Sequence, residues 1–420
     1  MKTTILAFAL AAPSCAFAHA ANPLIGDALA WLDEQKVTAS DGTANSYFGS
    51  AVAIEGGIAV IGADGDASFK GAAYVFKDTG GIWTEAQKIS ADDGAGGEQF
   101  GYRTELEGNT LVVGAFSATV NGNAAQGAAY VFTNDSGWEQ TAKLVADDGG
   151  LFENFGASIA LDGDTVVIGA NGAFVEGVPQ GAAYVFTGSG ASWTQQQKLI
   201  ADDGTDYDNF GMTLGLKDST AFVGSPLAPV DGNNGAGAVY VYTESGGTWT
   251  QTQRLTASDG AANDSFGMGL AFDGTTLIVG ATSNDGIGAA YVFTESGGTW
   301  SEVQKLVPDD GASGDYFGNA ISISGSRALI GADIATIDGN TSRGAVYLFT
   351  ATAGGWVQSH KFIASDGATD DFFGAALALD GNTALISTPH PIIDGNAWQG
   401  AAYFFADDTI FGDGFDGVAP

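Results

Sequence analysis

Short apolar runs separated by polar turns follow one another along almost the whole chain. Each run is rich in Val, Ile, Ala, Tyr and Phe, and Gly, Asp and Asn stand between the runs. Runs of about four to eight residues with this composition, bounded by turn residues, are typical of β-strands. Some of them are apolar at consecutive positions, as residues 166–170 are, which favours strands in the middle of a sheet.

A repeated unit groups these runs into sets of four. A Phe-Gly pair opens each unit at intervals of 51 to 56 residues, beginning at Phe48, Phe100, Phe155, Phe210, Phe266, Phe317 and Phe373. A second signature, GAAYVF or a close variant, follows each pair and begins at Gly71, Gly127, Gly181, Gly237, Gly288, Gly344 and Gly400. The sequence therefore predicts seven copies of a four-stranded antiparallel sheet.

A third signature, Trp followed five residues later by Lys or Arg, indicates how the copies are connected. Six instances follow the GAAYVF runs. The seventh, Trp31 with Lys36, precedes the first Phe-Gly pair, and the last repeat ends at Phe405 without one. One such sheet cannot bury its faces alone, and radial stacking leaves only short edges. We therefore predict an all-β, seven-bladed β-propeller whose last blade is completed by an outer strand at residues 31–37.

The Phe-Gly pairs, the IGA-like runs and the GAAYVF strands resemble the FG-GAP repeat family, which includes the integrin alpha-chain propellers. The resemblance extends over residues 26–406. It implies that the blade-to-blade loops and the loops between second and third strands lie on one face, which contacts ligands. The calcium loop of integrin repeats is not implied, because tight turns such as Glu55-Gly56-Gly57 leave no room for alternating oxygen ligands.

The chain divides into a signal peptide at 1–20, the propeller at 21–406 and a tail at 407–420. Lys2 and the short apolar run at 5–12 fit a secretory signal, and no later run has membrane length, so we expect a secreted or cell-surface protein. The only cysteine, Cys15, lies in the removed segment, and Pro13 makes it a poor match to a lipid-anchoring site. The tail resembles short IFxDGF tails of exported proteobacterial proteins; a sorting signal and an unstructured end are the alternatives.

The formal net charge of −35 argues against nucleic acid and anionic membranes as partners. The chain carries no motif for nucleophilic, zinc or phosphate chemistry, so we interpret it as a monomeric binding module for an extracellular protein or glycan rather than an enzyme. The alternative is a propeller hydrolase or lyase acting on extracellular polysaccharide. That alternative predicts one deep central pocket with two or three unmatched polar residues. A scaffold without a small ligand is a third interpretation.

The candidate ligand-binding residues lie on the predicted loops between second and third strands, which differ between repeats. Four of these loops contain Asp-Gly-Asn or Asn-Gly-Asn, a signal that also predicts a plain hairpin turn. The last of them holds the one Trp outside the repeat scheme, which suits either a sugar or protein contact or packing on its own loop. The candidates are Asn121, Asn123, Asp231, Asn233, Asp338, Asn340, His390, Asp394, Asn396 and Trp398.

The blade-to-blade loops supply the candidate metal ligands. Each reads Ser-Asp-Gly or Asp-Asp-Gly followed by further polar residues. Asp-Gly turn chemistry explains this pattern, and weak binding of calcium or another cation on an acidic rim is the alternative. The candidate cation ligands are Asp203, Asp206, Asp208, Asp366, Asp370 and Asp371.

Two further charge patterns concern the scaffold. In every copy the base of the Trp signature precedes an Asp by five residues, as Lys88 precedes Asp93, and we interpret these as structural ion pairs or turn contacts at the blade edge. Arg103 and Glu105 replace the small residues that other copies carry on their first strand. Because side chains two apart share one face of a strand, they predict either a local ion pair or a polar feature at the central channel.

Overall fold

The computed structural model describes residues 31–407 and has the predicted architecture. The predicted signal peptide with Cys15, and residues 408–420 of the predicted tail, lie outside the described residues. Within the described range, 28 strands form seven antiparallel sheets of four strands each, the blades of the propeller. Two single helical turns also occur there, at Asp66–Phe69 and Asn284–Gly286, and no helix in this range is long and apolar enough to cross a membrane.

The strands, in chain order, are β1 (Trp31–Val37); β2 to β5 of blade 1 (Phe48–Glu55, Ile58–Ala63, Ala72–Asp78, Trp83–Ile89); β6 to β9 of blade 2 (Arg103–Glu107, Thr110–Ala115, Ala128–Asn134, Trp138–Leu144); β10 to β13 of blade 3 (Ser158–Asp162, Thr165–Ala170, Ala182–Ser189, Ser192–Leu199); β14 to β17 of blade 4 (Thr213–Lys217, Thr220–Ser225, Ala238–Ser245, Thr248–Leu255); β18 to β21 of blade 5 (Phe266–Phe272, Thr276–Ala281, Ala289–Ser296, Thr299–Leu306); β22 to β25 of blade 6 (Ile321–Ser324, Arg327–Ala332, Ala345–Thr352, Gly355–Phe362); and β26 to β28 of blade 7 (Leu377–Asp380, Thr383–Thr388, Ala401–Asp407).

The ring closes as the displaced Trp signature predicts. In blade 7 the strand order is β26-β27-β28-β1, so the first strand of the chain is the outer strand of the last sheet. Its antiparallel register pairs Trp31 with Asp407 and Lys36 with Tyr403. Asp407, which the sequence analysis assigned to the tail, is therefore the last residue of β28. The propeller extends one residue further than the predicted boundary at 406.

The core lies between neighbouring blades, and the Phe of each Phe-Gly pair is at its centre. Phe48 is fully buried, and its ring meets the edge of the Tyr74 ring with centroids 5.4 Å apart. The same cluster includes Phe404 of blade 7, so it joins two blades. Burying one such ring contributes about 1.5–3 kcal/mol. The glycine after each Phe is needed because the backbones approach closely: at Gly101 (φ 96°) a Cβ would lie 2.2 Å from the carbonyl oxygen of Ala72.

The repeated Lys/Arg and Asp residues form ion pairs, but not between the partners that sequence spacing suggests. Each base pairs with the Asp of the preceding repeat, at 2.6–2.8 Å. The other oxygen of that Asp accepts a hydrogen bond, at 2.6–3.0 Å, from a Tyr on the third strand of the blade that carries the base. The prediction that base and Asp of one repeat are partners is wrong, because the chain leaves its blade between them. We call these groups the clamps; their Asp, Tyr and base are Asp41, Tyr74 and Lys88; Asp93, Tyr130 and Lys143; Asp148, Tyr184 and Lys198; Asp203, Tyr240 and Arg254; Asp259, Tyr291 and Lys305; Asp310, Tyr347 and Lys361; and Asp366, Tyr403 and Lys36.

A second hydrogen bond at every blade junction joins residues of which at most one is a carboxylate. The residue before each clamp Asp is Ser or Asp, and its backbone N–H donates to a Glu or Gln on the outer strand of the next blade. Wherever that residue is Ser, the acceptor is Glu, and wherever it is Asp, the acceptor is the neutral Gln, which avoids two facing carboxylates. The pairs are Ser40 with Glu85, Asp92 with Gln140, Asp147 with Gln195, Asp202 with Gln251, Ser258 with Glu302, Asp309 with Gln358, and Ser365 with Glu34.

A buried ion pair lies at the other end of the closing blade. The Arg327 guanidinium of blade 6 donates to the Asp407 carboxylate at 2.6 Å, and its Cζ atom lies 5.7 Å from the centroid of the Trp31 ring. The Asp407 side chain is 0% exposed and that of Arg327 is 16% exposed. Both termini of the propeller are therefore joined to blade 6 by one guanidinium.

Candidate ligand-binding face

The two loop sets of the predicted recognition face lie side by side. The backbone of the loop entering blade 1 donates to the loop between β27 and β28, from Tyr47 N to Trp398 O at 3.1 Å and from Phe48 N to Gln399 O at 2.9 Å. Equivalent bonds recur around the ring, as from Phe155 N to Gln126 O at 2.9 Å. Each loop between second and third strands thus supports the loop that enters the next blade.

The Asp-Gly-Asn and Asn-Gly-Asn motifs form two-residue hairpins. In the last of them Ile393 and Asn396 exchange backbone bonds of 3.2 and 2.8 Å around Asp394 and Gly395, which have φ of 50° and 87°. Asn and Gly tolerate these left-handed conformations best, so the turn alone accounts for the motif. The Glu176-Gly177 turn of blade 3 has the same shape without the motif, a hairpin that the motif search missed.

The structure distributes most of the candidate ligand-binding residues over separate blades. Asn121 and Asn123 lie on blade 2, Asp231 and Asn233 on blade 4, and Asp338 and Asn340 on blade 6. Asp338 also accepts a bond from Arg343 within its own loop, at 2.9 Å. The blade 7 candidates are the ones that lie together, since the rings of His390 and Trp398 are 6.1 Å apart on one loop.

Five aromatic side chains meet where blade 7 adjoins blade 1, and we call them the junction cluster: Tyr47, Phe69, Phe372, His390 and Trp398. The Tyr47 ring stacks on Trp398 at 6.2 Å and 20°, and it meets the His390 edge at 5.4 Å. Phe69 is 39% exposed and Trp398 is 49% exposed. Trp398 is therefore only half-buried: one side of its ring packs against Tyr47, and about half of its surface is exposed to solvent.

Three members of the junction cluster were missed by the sequence analysis, although the repeat contains a signal for them. Tyr47 and Phe372 each precede a Phe-Gly pair, and Phe69 and Trp398 each lie two residues before a GAAYVF glycine. In the other blades these positions hold Gln99, Asn154, Asn209, Ser265, Tyr316, Ala125, Pro179, Gly235, Gly286 and Ser342. Aromatic residues occupy both positions only in the two blades that flank the closure.

The electrostatics of the junction cluster are mild. Burial lowers the pKa of His390, and the nearby Asp370 carboxylate opposes that shift, so the imidazole is neutral at pH 7. A neutral imidazole has one donor and one acceptor nitrogen and adds no charge to the aromatic surface. This surface can bind by stacking and hydrogen bonding, with carboxylates at its edge.

Comparison with known protein families matches the FG-GAP repeat to residues 31–76, 83–132, 138–186, 193–242, 249–293, 300–349 and 356–405. The seven matched segments cover most of the chain. The chain belongs to the FG-GAP repeat family. Among curated proteins, no sequence matches it.

The FG-GAP match also explains why a Trp strand comes first. Each matched segment begins on the outer strand of one blade and ends on the third strand of the next, as residues 31–76 run from β1 to β4. The sequence repeat is therefore offset by one strand from the structural blade. This offset places the first FG-GAP repeat across the ring closure.

The carboxylates of this FG-GAP propeller are largely used by its own loops. Two of the candidate cation ligands, Asp203 and Asp366, belong to clamps, and Asp208 accepts bonds from Thr205 N and Thr205 Oγ1 at 2.6 and 2.7 Å. Asp371 likewise accepts from Ala368 N at 2.6 Å, while Asp206 and Asp370 are exposed. In the part of the chain that the structure describes, no group of three or more His, Cys, Asp or Glu side chains is arranged to hold a metal ion.

The turns between first and second strands leave no calcium loop. In blade 1, Glu55 pairs with Ile58, so two residues make the turn, and five other blades have the same spacing. A loop with alternating oxygen ligands requires a longer connection. The integrin-type calcium site is therefore absent from these six turns.

Arg103 and Glu105 line the central channel of the propeller. Their side chains do not pair: Arg103 Nη1 donates to Tyr102 O at 2.9 Å, and its guanidinium lies 4.6 Å from the Tyr102 ring centroid. The local ion pair considered from the sequence does not form, and the alternative, a polar feature at the channel, is what the structure has.

Proposed function

We propose that this FG-GAP propeller is a secreted or cell-surface binding module that recognises an extracellular protein or glycan through the face bearing the junction cluster. FG-GAP repeats are typical of extracellular proteins, and the propeller fold is consistent with a binding module. The residues expected to contact the ligand are Trp398, Tyr47 and Phe69, with Asp394 and Asp370 at the edge.

The junction cluster is the observation that carries this proposal. Its rings break the sevenfold symmetry of the scaffold, and Phe69 and Trp398 remain 39% and 49% exposed although burying them would be favourable. Exposed aromatic side chains on a supported surface are typical of recognition sites, where they supply area at little entropic cost. The clamps and the charge-matched junction contacts hold the loops that carry these rings, so the surface is preorganised.

Further apolar side chains are exposed elsewhere on the same face, most of them on other blades. These side chains are on blade-to-blade loops or on loops between second and third strands, and they are Leu151, Phe152, Phe174, Tyr207, Leu227, Tyr316 and Ile392. The contiguous patch is the junction cluster itself, and exposed rings with acidic groups at their edge fit a large ligand better than a small molecule.

The enzyme alternative finds less support in the geometry. The central channel does hold unmatched polar groups, as that alternative requires, but Glu105 is the only carboxylate among the described residues that line its two cavities. Glycoside hydrolysis uses two carboxylates on either side of the scissile bond. Binding without turnover is therefore the function that we propose.

The test is a glycan array and immobilised mucin probed with the purified protein, with release of reducing sugar measured in parallel. Trp398→Ala should weaken binding by about 2 kcal/mol, roughly thirtyfold in Kd, because it removes the most exposed ring of the cluster. Tyr207→Ala is the matched control, since this ring is 69% exposed on the same face but lies on the blade 4 side.

Binding that depends on Trp398 but not on Tyr207, without sugar release, supports the proposal. Sugar release on a bound polysaccharide would instead favour the hydrolase or lyase. Equal loss in both variants, or binding that neither variant weakens, would contradict the placement of the site.

A further inference from the structure

The axis of the propeller contains two cavities, of about 310 and 180 Å³. They meet at a waist, because five residues line both of them: Val52, Glu105, Leu270, Ile321 and Leu377. Four of these five are aliphatic, and the remaining one is a carboxylic acid. The larger volume falls at the lower end of the range of small-molecule sites in proteins, about 300–1,000 Å³.

Glu105 has no structural reason to be an acid. The equivalent position in the other six blades holds a small residue: Ala53, Ala160, Gly215, Ala271, Ser322 and Ala378. Within residues 31–407, no hydrogen bond or ion pair to the Glu105 carboxylate is present, and Arg103 is directed to Tyr102 instead. The Glu105 side chain is half-buried beside aliphatic residues, and partial desolvation of a carboxylate without a direct partner costs stability that an Ala at this position would avoid.

We propose that the central channel binds a small organic ammonium ion, whose nitrogen pairs with Glu105 and whose apolar body contacts Val52, Leu270, Ile321 and Leu377. A cation would supply the ion-pair partner that the Glu105 carboxylate lacks, and the net charge of −35 favours entry of a cation into the channel. The aliphatic walls select an organic cation over calcium, which requires six to eight oxygen ligands. This inference does not depend on the function of the loop face.

The charges around Glu105 determine how binding depends on pH. Burial raises the pKa of Glu105 to about 7, with the positive charge of Arg103 opposing and the negative charge of Glu107 adding to that shift. Lys217 lines the larger cavity, but its ammonium is held by Asp162 and by Glu107. An alkylammonium ion stays protonated well above pH 8, as a lysine does. Its affinity should therefore rise between pH 5.5 and pH 8 as Glu105 ionises.

The experiment is isothermal titration of the purified protein with n-butylammonium chloride at pH 8 and pH 5.5, with 1-butanol as the neutral probe of matching shape. Glu105→Gln keeps the size of the side chain and removes its charge, and we expect it to weaken n-butylammonium binding roughly ten- to hundredfold at pH 8. Asp135→Asn is the matched control, because it removes one exposed carboxylate from the turn between β8 and β9 and changes the net charge equally.

Binding that is stronger at pH 8, lost in Glu105→Gln, kept in Asp135→Asn and absent for 1-butanol would support the site. Thermal unfolding of both variants checks that each is folded. Equal binding by the wild type and by Glu105→Gln, or no binding of n-butylammonium at any concentration up to solubility, would overturn the proposal. Either result leaves the loop-face proposal untouched, since the glycan and mucin assay reports on Trp398.

Discussion

Ring closure should depend far more on the buried Arg327–Asp407 pair than on the exposed Lys36–Asp366 clamp. Both ion pairs hold blade 7 to its neighbours, at 2.6 Å each, but the Asp407 and Arg327 side chains are 0% and 16% exposed while those of Asp366 and Lys36 are 52% and 30% exposed. Removing one partner of a buried pair costs about 3–5 kcal/mol, because the other charge stays buried alone. An exposed pair contributes about 0–1 kcal/mol.

The perturbations are Asp407→Asn and Asp366→Asn, which remove one charge each with little change of volume. Arg327 keeps its bond to Asn382 Oδ1 at 2.6 Å and its position over Trp31, so the low end of the range, about 3 kcal/mol, is expected for Asp407→Asn. Asp366→Asn should cost about 1 kcal/mol or less, since Asn can still accept from Tyr403. Local opening of β1 should then increase more than a hundredfold in the first variant and only a few fold in the second.

Hydrogen exchange of peptides containing residues 31–37, together with guanidinium unfolding, measures both effects. The double variant Arg327→Met with Asp407→Leu should recover much of the stability, because apolar residues of similar size leave no buried charge. If Asp366→Asn destabilises the protein as much as Asp407→Asn does, burial is not what makes the closure strong. The reasoning also fails if Asp407→Asn lies within about 0.5 kcal/mol of the wild type, the range of ordinary surface substitutions.

Three further outcomes are expected. Because burial raises the pKa of Glu105, the contribution of Glu105 to stability should fall as pH rises from about 5 to 8; the melting temperature of Glu105→Gln should therefore rise relative to that of the wild type over this range, and a constant difference would contradict it. Gly101→Ala should destabilise the protein strongly, because its Cβ would lie 2.2 Å from a carbonyl oxygen. Gly97→Ala, with φ of 89° and nothing within 4 Å of its Cβ, should cost only about 1 kcal/mol of backbone strain. Denaturant unfolding measures both, and equal costs would show that backbone conformation alone requires the glycine. Gln140→Glu should cost about 1 kcal/mol at low salt, because the new carboxylate faces Asp92. Adding Asp92→Ser recreates the Ser–Glu pair of other junctions and should restore stability. If the two effects are additive in a double-mutant cycle, repulsion between the two carboxylates is not the cause.

Much of the fold could be predicted from the sequence because the same strand and turn signatures occur seven times. Short apolar runs, turn glycines and the displaced Trp31 strand are local signals. Only a closed ring pairs the last blade, which lacks an outer strand, with the extra strand at the start of the propeller. The two-residue turns, which leave no room for an integrin-type calcium loop, could also be predicted, since they depend on residues close in the chain such as Glu55 and Ile58.

The tertiary structure alone decided which side chains meet across blades. Sequence spacing paired Lys88 with Asp93, but the chain crosses to the next blade between them, and Lys88 pairs instead with Asp41, 47 residues away, and with Asp66. The junction cluster has the same origin: Tyr47 and Trp398 are at opposite ends of the chain and come together because the ring closes there. Strand formation follows from neighbours along the chain, whereas contacts between blades depend on how the strands are stacked around the axis, which no local pattern encodes.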